Sequence, residues 1–302
     1  MSWERDVALA GLTRYGIGGP TPALGRAGSR AELVELLRSL DGAPYLVLGG
    51  GANILVADEG VRERVLLLGG EFDYVRAVEG AIEAGAATRL PAFVGAARRE
   101  ARGGFEFLEA VPGTVGGALR MNAGSRDVWL WHRTRWAEAM TPEGEIVRLD
   151  PDQAAPAYRS VGVPESWIFL RGLFDAPPGD PAVIGAAHRE FRFAKVANQV
   201  YELPSVGSSW KNPGGGHGSA WEVVERLGMR GARRGGAQIS ERHANFIVNL
   251  GDARADDVLA LMIETRRRAR EELGLTLEPE IRFWGFDEER LRQVGARPEP
   301  PC

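Results

Sequence analysis

Residues 112–124 read Pro112-Gly-Thr-Val-Gly-Gly-Ala-Leu-Arg-Met-Asn-Ala-Gly124. Glycines at 113, 116, 117 and 124 allow backbone to come close to a flat ligand or a diphosphate. A helix beginning near Val115 would aim its first N–H groups outward at that ligand. A tight helix–strand crossing would use the same glycines. Toward the N-terminus, Leu48-Gly-Gly-Gly-Ala-Asn53 lies between two short apolar runs, 45–48 and 54–57. It is no Walker loop, because no Gly-Lys-Ser/Thr follows. It is a poor Rossmann fingerprint, because Ile54-Leu-Val56 suits a strand and the third glycine is missing. Successive glycine N–H groups between strands can instead converge into an anion-binding nest, the bland alternative being a tight turn. Two such loops, about 60 residues apart, suggest one shared dinucleotide.

The 302 residues make two or three domains at roughly 100–200 residues each. Apolar residues at 44% and charged residues at 26% exclude a disordered or collagen-like chain. No run of about 18 apolar residues could span a membrane, and Met-Ser-Trp-Glu-Arg-Asp at the start shows no secretory pattern. The single cysteine, Cys302, excludes an intrachain disulfide and a cysteine metal site. His132, His188, His217 and His243 keep no ligand spacing, so no metal is expected. A net charge of −4 without a basic stripe argues against nucleic acid. A cytoplasmic protein is expected. Lys195 and Lys211 are the only lysines, and of six asparagines all but Asn198 (Asn53, Asn122, Asn212, Asn245 and Asn249) fall in motifs.

Patterning outward from the glycine loops gives alternating strand and helix at first. Ser29-Arg-Ala-Glu32 is a capping box opening a helix to residue 40, with strands at 45–48, 54–57 and 65–68. Short strands follow at 74–78, 81–84, 136–140, 145–149 and 167–174, with helices at 89–101, near Val115 and at 180–197. A Ser/Gly/Pro loop covers 204–218. Then come a helix at 221–227, strands at 238–239 and 246–248, a long helix at 255–273 and a last strand at 277–284. Soft boundaries fall near residues 70 and 200.

Seven motifs in order carry a resemblance across nearly the whole chain. They are Thr13-Arg-Tyr-Gly-Ile-Gly18-Gly-Pro, the two glycine loops, Tyr158-Arg-Ser160, Ser205-Val-Gly-Ser208-Ser-Trp-Lys211-Asn-Pro, Gly235-Gly-Ala-Gln-Ile-Ser-Glu-Arg-His243-Ala-Asn-Phe-Ile-Val-Asn249, and Leu277-Glu-Pro-Glu280-Ile-Arg. Together they resemble the UDP-N-acetylenolpyruvoylglucosamine reductase (MurB) family, in its shorter subclass without an extra substrate-covering loop. The resemblance implies an α+β fold of three domains. Residues 1–70 would form FAD-binding domain I, joined by a returning C-terminal strand within 277–302. Residues 71–200 would form FAD-binding domain II, the pair being of the vanillyl-alcohol-oxidase-like type, and 201–276 an α/β substrate domain. Non-covalent FAD would lie against Gly49, Gly50, Gly51, Ala52, Asn53, Pro112, Gly113, Thr114, Gly116, Gly117, Ala118 and Asn122. Departures are Ala52 where Ser is common, Ser125-Arg126-Asp127 where Ala-Tyr-Gly is common, and Gln199-Val in place of Gln-Pro.

The implied reaction reduces the enolpyruvyl ether of a UDP-sugar to a lactyl ether, with NADPH as reductant. Negative charge develops on the substrate carboxylate, so the site needs a cation, a hydrogen-bond donor and a proton source away from water. By carry-over these are Arg159, able to grip a carboxylate bidentately, Glu280 as acid or polarising donor, and Ser208 as proton donor. Glu280 would have to carry its proton, which burial favours. In isolation Arg159 would read as one surface arginine among many, Ser208 as a turn residue, and Glu280 as a strand-end carboxylate with Glu278 as its rival on the same face. Lys211, Asn212 and His243 are candidate substrate contacts, His243 more naturally a packed histidine. A flavin oxidase on the same fold and a silent flavin or UDP-sugar sensor are the competing readings. The triple Arg159, Ser208 and Glu280 argues against the sensor.

Overall fold

The structure, a computed structural model, describes residues 3–125 and 127–297. Arg126, the centre of the Ser125–Asp127 departure, and Cys302 lie outside them. The chain is a mixed α+β protein built on three principal sheets. It opens with β1 (Glu4–Ala8), β2 (Pro20–Ala27), α1 (Arg30–Ser39), β3 (Tyr45–Val47), β4 (Ile54–Val56) and β5 (Arg64–Leu68). Four of these strands form a sheet in the order β1-β2-β5-β3, parallel apart from β1. Ser29 caps α1, its hydroxyl accepting from the Glu32 N–H, as the capping pattern requires. Leu33, Leu36 and Leu37 then pack on Tyr45 and Leu66.

The pattern of apolar residues does not announce β1 or β2. β1 is an exposed edge carrying Glu4, Arg5 and Asp6. β2 begins at Pro20 and contains Pro22, but both prolines are exposed and Thr21, Ala23 and Leu24 face inward.

The next elements are β6 (Val75–Val78), β7 (Ala81–Gly85), α2 (Leu90–Arg99), α3 (Val115–Arg120), β8 (Gly124–Ser125), β9 (Val128–Trp129), β10 (Thr134–Met140), β11 (Ile146–Leu149), α4 (Pro151–Ala154), β12 (Ile168–Asp175) and α5 (Pro181–Asn198). Five strands make an antiparallel sheet, β11-β10-β12-β7-β6. One face is apolar: Phe93 of α2 meets Phe105 and Phe174 edge-on at 4.8 and 5.3 Å. The other carries an alternating charged row crossing every strand. Arg148 reaches Glu138 at 3.0 Å, Glu138 meets Arg171 at 2.8 Å, Arg171 meets Glu83 at 3.2 Å, and Glu83 meets Arg76 at 2.9 Å. Hydrogen bonding from Arg171, against the opposing effect of burial, holds the Glu138 carboxyl down at about 2.

The last elements are α6 (Ala220–Arg226), β13 (Arg233–Arg234), β14 (Ala237–Ile239), β15 (Ile247–Asn249), α7 (Ala255–Leu273), β16 (Arg282–Trp284) and α8 (Glu288–Val294). β13, β14 and β15 form a small antiparallel sheet. Val258, Leu261 and Met262 of α7 share a core with Val223 and Ile239. α7 starts on a side chain from far away: the Asp58 carboxylate accepts from the N–H groups of Ala255 and Asp256 at 3.0 and 3.3 Å.

β16 pairs in parallel with β4, Arg282 opposite Ile54 and Trp284 opposite Val56. The expected strand at 277–284 is thus shorter. Residues before 282 are drawn aside to the 209–211 segment: the Lys211 N–H donates to Glu278 O and the Glu280 N–H to Ser209 O, each at 2.9 Å. Pro279, between them, has no N–H to continue a ladder.

No helix among the described residues is long and apolar enough to cross a membrane. Among the same residues no group of three or more His, Cys, Asp or Glu could hold a metal ion.

Candidate active site

A cleft of about 420 Å³ opens among loops that connect the strands, within the range of roughly 300–1,000 Å³ usual for small-molecule sites. All of 49–53, residues 112–114, 117 and 118, and Arg159, Ser208, Asn212 and Glu280 line it. Gly116, Asn122, Lys211 and His243 do not.

One wall is made of backbone. The β3–β4 loop lies against the loop entering α3, so closely that a Cβ at Gly50 would stand 2.6 Å from Gly113 Cα. Gly51 has φ +59°, and a Cβ there would meet Leu12 O at 2.2 Å. Among the described residues, no backbone N–H from Gly49 to Asn53 donates to a backbone carbonyl. These donors on a glycine loop fit the diphosphate of a dinucleotide.

The start of α3 departs from the expectation of outward N–H groups. Val115 N–H donates to Thr88 O, Gly116 N–H to Ala86 O, and Gly117 N–H to the Thr114 hydroxyl. α3 therefore backs the cleft by packing on β7, and the open donors belong to the first loop.

The opposite wall is made of charged side chains. Arg159 Nε donates to Glu280 Oε1 at 2.6 Å, both side chains being largely buried. Tyr158 O–H reaches the other carboxylate oxygen at 3.5 Å, and its ring lies 5.9 Å from that of Trp129. Burial first, then the Glu280 charge, pushes the Tyr158 hydroxyl up from its ordinary range. Here Glu280 accepts from a guanidinium, whereas the implied chemistry asks it to donate. Glu278 is separated from it: its exposed carboxylate faces Lys211 at 3.5 Å. The two glutamates of the motif do not share a face.

Arg159 has φ +59°, a left-handed conformation that costs a non-glycine residue roughly 1 kcal/mol or more. Its neighbours hold it there. Asn122 is buried beneath the turn: its amide donates to Ala157 O at 3.0 Å and its Oδ1 accepts from the Trp131 N–H. Asn122 is thus a strut for the Arg159 turn and does not reach the cleft.

Asn53 joins the walls: its amide donates to Glu280 O at 3.1 Å, and its carbonyl accepts from the Arg282 N–H. Ser208 is set by its bridge to Phe246. Its neighbour Ser209 is buried, with a hydroxyl that has no partner. Asn245 fixes this register by exchanging side-chain hydrogen bonds with the Trp210 backbone at 2.8 and 2.9 Å. His243 packs behind Phe246 at 4.7 Å, with its imidazole pushed toward the neutral form by burial. Asn212 Oδ1 accepts from the Ala220 N–H and caps α6.

Sequence reasoning singled out Lys211 of the two lysines, yet it is Lys195 that lines the cleft, its ammonium donating to Phe107 O at 3.0 Å. Trp129, Gln199 and Arg282 also line it without having been proposed as site residues. Arg282 lay inside a recognised motif and Gln199 in the Gln199-Val departure.

A backbone nest facing a buried Arg159–Glu280 ion pair on this frame has the form expected of a dinucleotide-dependent enzyme. An FAD binding domain model matches residues 22–150, which contain both glycine loops, so the class is that of the FAD-binding proteins with the vanillyl-alcohol-oxidase-like fold. A model described as UDP-N-acetylenolpyruvoylglucosamine reductase, C-terminal domain, matches residues 199–284. The UDP-N-acetylenolpyruvoylglucosamine reductase of Paramagnetospirillum magneticum is 39% identical over 93% of this chain and 91% of its own. A second relative, UDP-N-acetylenolpyruvoylglucosamine reductase 2 of Symbiobacterium thermophilum, is also 39% identical, over 94% and 92%. The crystal structure of the Thermus caldophilus reductase superposes with a TM-score of 0.83 at 38% identity, covering 94% of this chain and 99% of that one. The chain belongs to the UDP-N-acetylenolpyruvoylglucosamine reductase family, and its cofactor is FAD.

Proposed function

We propose that the protein reduces the enolpyruvyl ether of UDP-N-acetylglucosamine to UDP-N-acetylmuramate in peptidoglycan precursor synthesis, in the cytoplasm, with NADPH as reductant. The observation that carries this reading is that Arg159, Ser208 and Glu280, from three distant parts of the chain, line one cleft with both glycine loops. Bound FAD supplies the hydride chemistry. The protein's part is to place the anions and the proton. The N–H groups of Gly49 to Asn53 would hold the diphosphate, and Pro112, Gly113, Thr114, Gly117 and Ala118 would wall the flavin non-covalently.

Arg159 would bind the substrate carboxylate with the edge of its guanidinium that Glu280 leaves available, and oppose the charge that grows there. Glu280 would orient Arg159 through the ion pair; as a donor it would exchange that contact for one to the substrate. Ser208 would give its hydroxyl proton to the carbon beside the carboxylate, a weak acid meeting a strong base. Asn212 is the direct substrate contact among the three candidates; Lys211 and His243 support the surrounding loops through Glu278 and Phe246. We also propose that the chain divides as 1–70 with 277–302, 71–200 and 201–276.

The test separates the half-reactions by stopped-flow absorbance at the flavin band. Ser208→Ala should leave flavin reduction by NADPH intact and slow reoxidation by the enolpyruvyl substrate by roughly 10²–10⁴-fold. Ser209→Ala should leave both steps near wild type. Wild-type reoxidation by Ser208→Ala would remove the serine from the mechanism. Reduction by a simple alcohol with no response to NADPH would favour an oxidase.

A further inference from the structure

We infer that His188 is a positioning residue for the cofactor, acting through Glu109 on the cleft wall at 110–113; the inference rests on reading this cleft as the FAD site. Helix α5 is weakly anchored by apolar contacts. Of its 18 residues only Ile184 and His188 are buried, while Phe193 and Val196 stand exposed. What fixes it to the cleft is polar. The imidazole of His188, with no exposed side-chain surface, lies with Nδ1 2.9 Å from Glu109 Oε1. Facing a carboxylate, Nδ1 is the donor. The other nitrogen, Nε2, is buried without a hydrogen-bond partner and faces Glu106 at 3.9 Å.

A buried histidine normally satisfies both nitrogens or packs as a neutral ring. This one leaves one nitrogen unsatisfied while holding a carboxylate, itself buried, that immediately precedes the wall. Ala110 is a non-glycine residue at φ +57°, a conformation that must be held from outside. Ala110, Val111, Pro112 and Gly113 line the cleft directly. Two further contacts from the same side brace the segment: Lys195 Nζ donates to Phe107 O at 3.0 Å, and Tyr201 O–H reaches Ala110 O at 3.5 Å. Glu109 is the only one of these whose grip runs through a single buried side-chain pair. Removing the imidazole leaves a buried carboxylate unpaired, which must relax by moving, and the wall moves with it.

The test uses the full-length holoprotein, in His188→Leu, His188→Asn and Glu109→Ala. Asn can place an amide donor near the Nδ1 position and should rescue. His188→Leu and Glu109→Ala should weaken FAD affinity by roughly tenfold to a hundredfold, shift the flavin midpoint potential and alter the visible circular dichroism of the flavin. The double variant should lose no more than either single one. Gly50→Ala serves as the control for the cleft, since its Cβ would collide with Gly113. The inference is overturned if both single variants keep wild-type affinity and potential while only the melting temperature falls. Should His188→Leu fail to fold, Glu109→Ala alone decides by the same readouts. If Gly50→Ala also retains FAD fully, the cleft assignment itself is wrong, and the inference falls with it.

Discussion

The two walls of the cleft solve different problems with different parts of the chain. The glycine wall presents backbone, and its specificity lies in what is missing: no Cβ at 50, where 2.6 Å separates it from Gly113. The opposite wall presents Arg159, Glu280, Tyr158 and Ser208, and depends on side chains brought from three separate segments. Backbone donors are few in kind and cannot be tuned, which suits a diphosphate that every turnover reuses. Charged side chains can change partners, as Glu280 would on the proposed reading if it exchanged its contact with Arg159 for one to the substrate. A cofactor site and a reacting site can therefore share one cleft and still fail independently.

That independence can be broken or sharpened by substitution. The largest effect is expected at Arg159: Arg159→Met should slow the substrate half-reaction by roughly 10²–10³-fold, with flavin content and reduction by NADPH unchanged in the same stopped-flow record. Gly50→Ala should do the reverse. FAD should bind roughly tenfold or more weakly by fluorescence titration, because a methyl group cannot be placed without moving Gly113. Asn53→Ala breaks the separation. Its amide ties the glycine loop to Glu280 O, so FAD affinity and substrate turnover should both fall, each by roughly threefold to tenfold.

A control for all three lies in the charged row across the five-stranded sheet. Glu138→Gln should lower stability by on the order of 1–3 kcal/mol in urea unfolding at neutral pH, without a selective effect on either half-reaction. The pH dependence has a definite sign. The folded carboxyl, at about 2, lies below its unfolded value of about 4.3. The unfolded chain takes up the proton first as acid is added. The stabilisation is therefore complete above about pH 5 and is lost as pH falls toward 2. In the Gln variant the difference from wild type should vanish over the same window. A difference that persists unchanged at pH 2 would count against Glu138 as its source.

The glycine wall was far easier to read in the sequence than the charged wall. Glycine runs are rare and local, and 49–53 is a nest within one loop. The long helix α7 was equally plain, because its apolar spacing covers 19 residues and ends at Gly274. The charged wall is non-local: nothing in Glu278-Pro-Glu280 says which carboxylate turns inward until Ser209 and Asn53 take up the Glu280 backbone. The Lys195 side chain reaches the cleft because α5 passes along the 106–109 segment, a contact no spacing rule contains. Asn122 sits in a motif that drew attention for the cofactor, yet its role is to support a turn 35 residues onward. Motif membership marked the residue, and tertiary packing decided its task. β1 was missed because an exposed edge strand carries no apolar alternation.

The pairing of β4 with β16 has a consequence for synthesis. The glycine loop leads directly into Ile54–Val56, whose one strand neighbour among the described residues is Arg282–Trp284, more than two hundred residues later. At ~5–20 residues per second on a ribosome, the loop waits on the order of 10 s or longer for that partner. Asn53 likewise waits for Glu280, and Asp58 waits for the start of α7. The nascent chain can fold its first sheet early, but the glycine loop is not fixed until residues 280–284 have emerged. On the proposed reading, nascent chains that stop before residue 280 would carry the glycine motif without being able to sequester flavin.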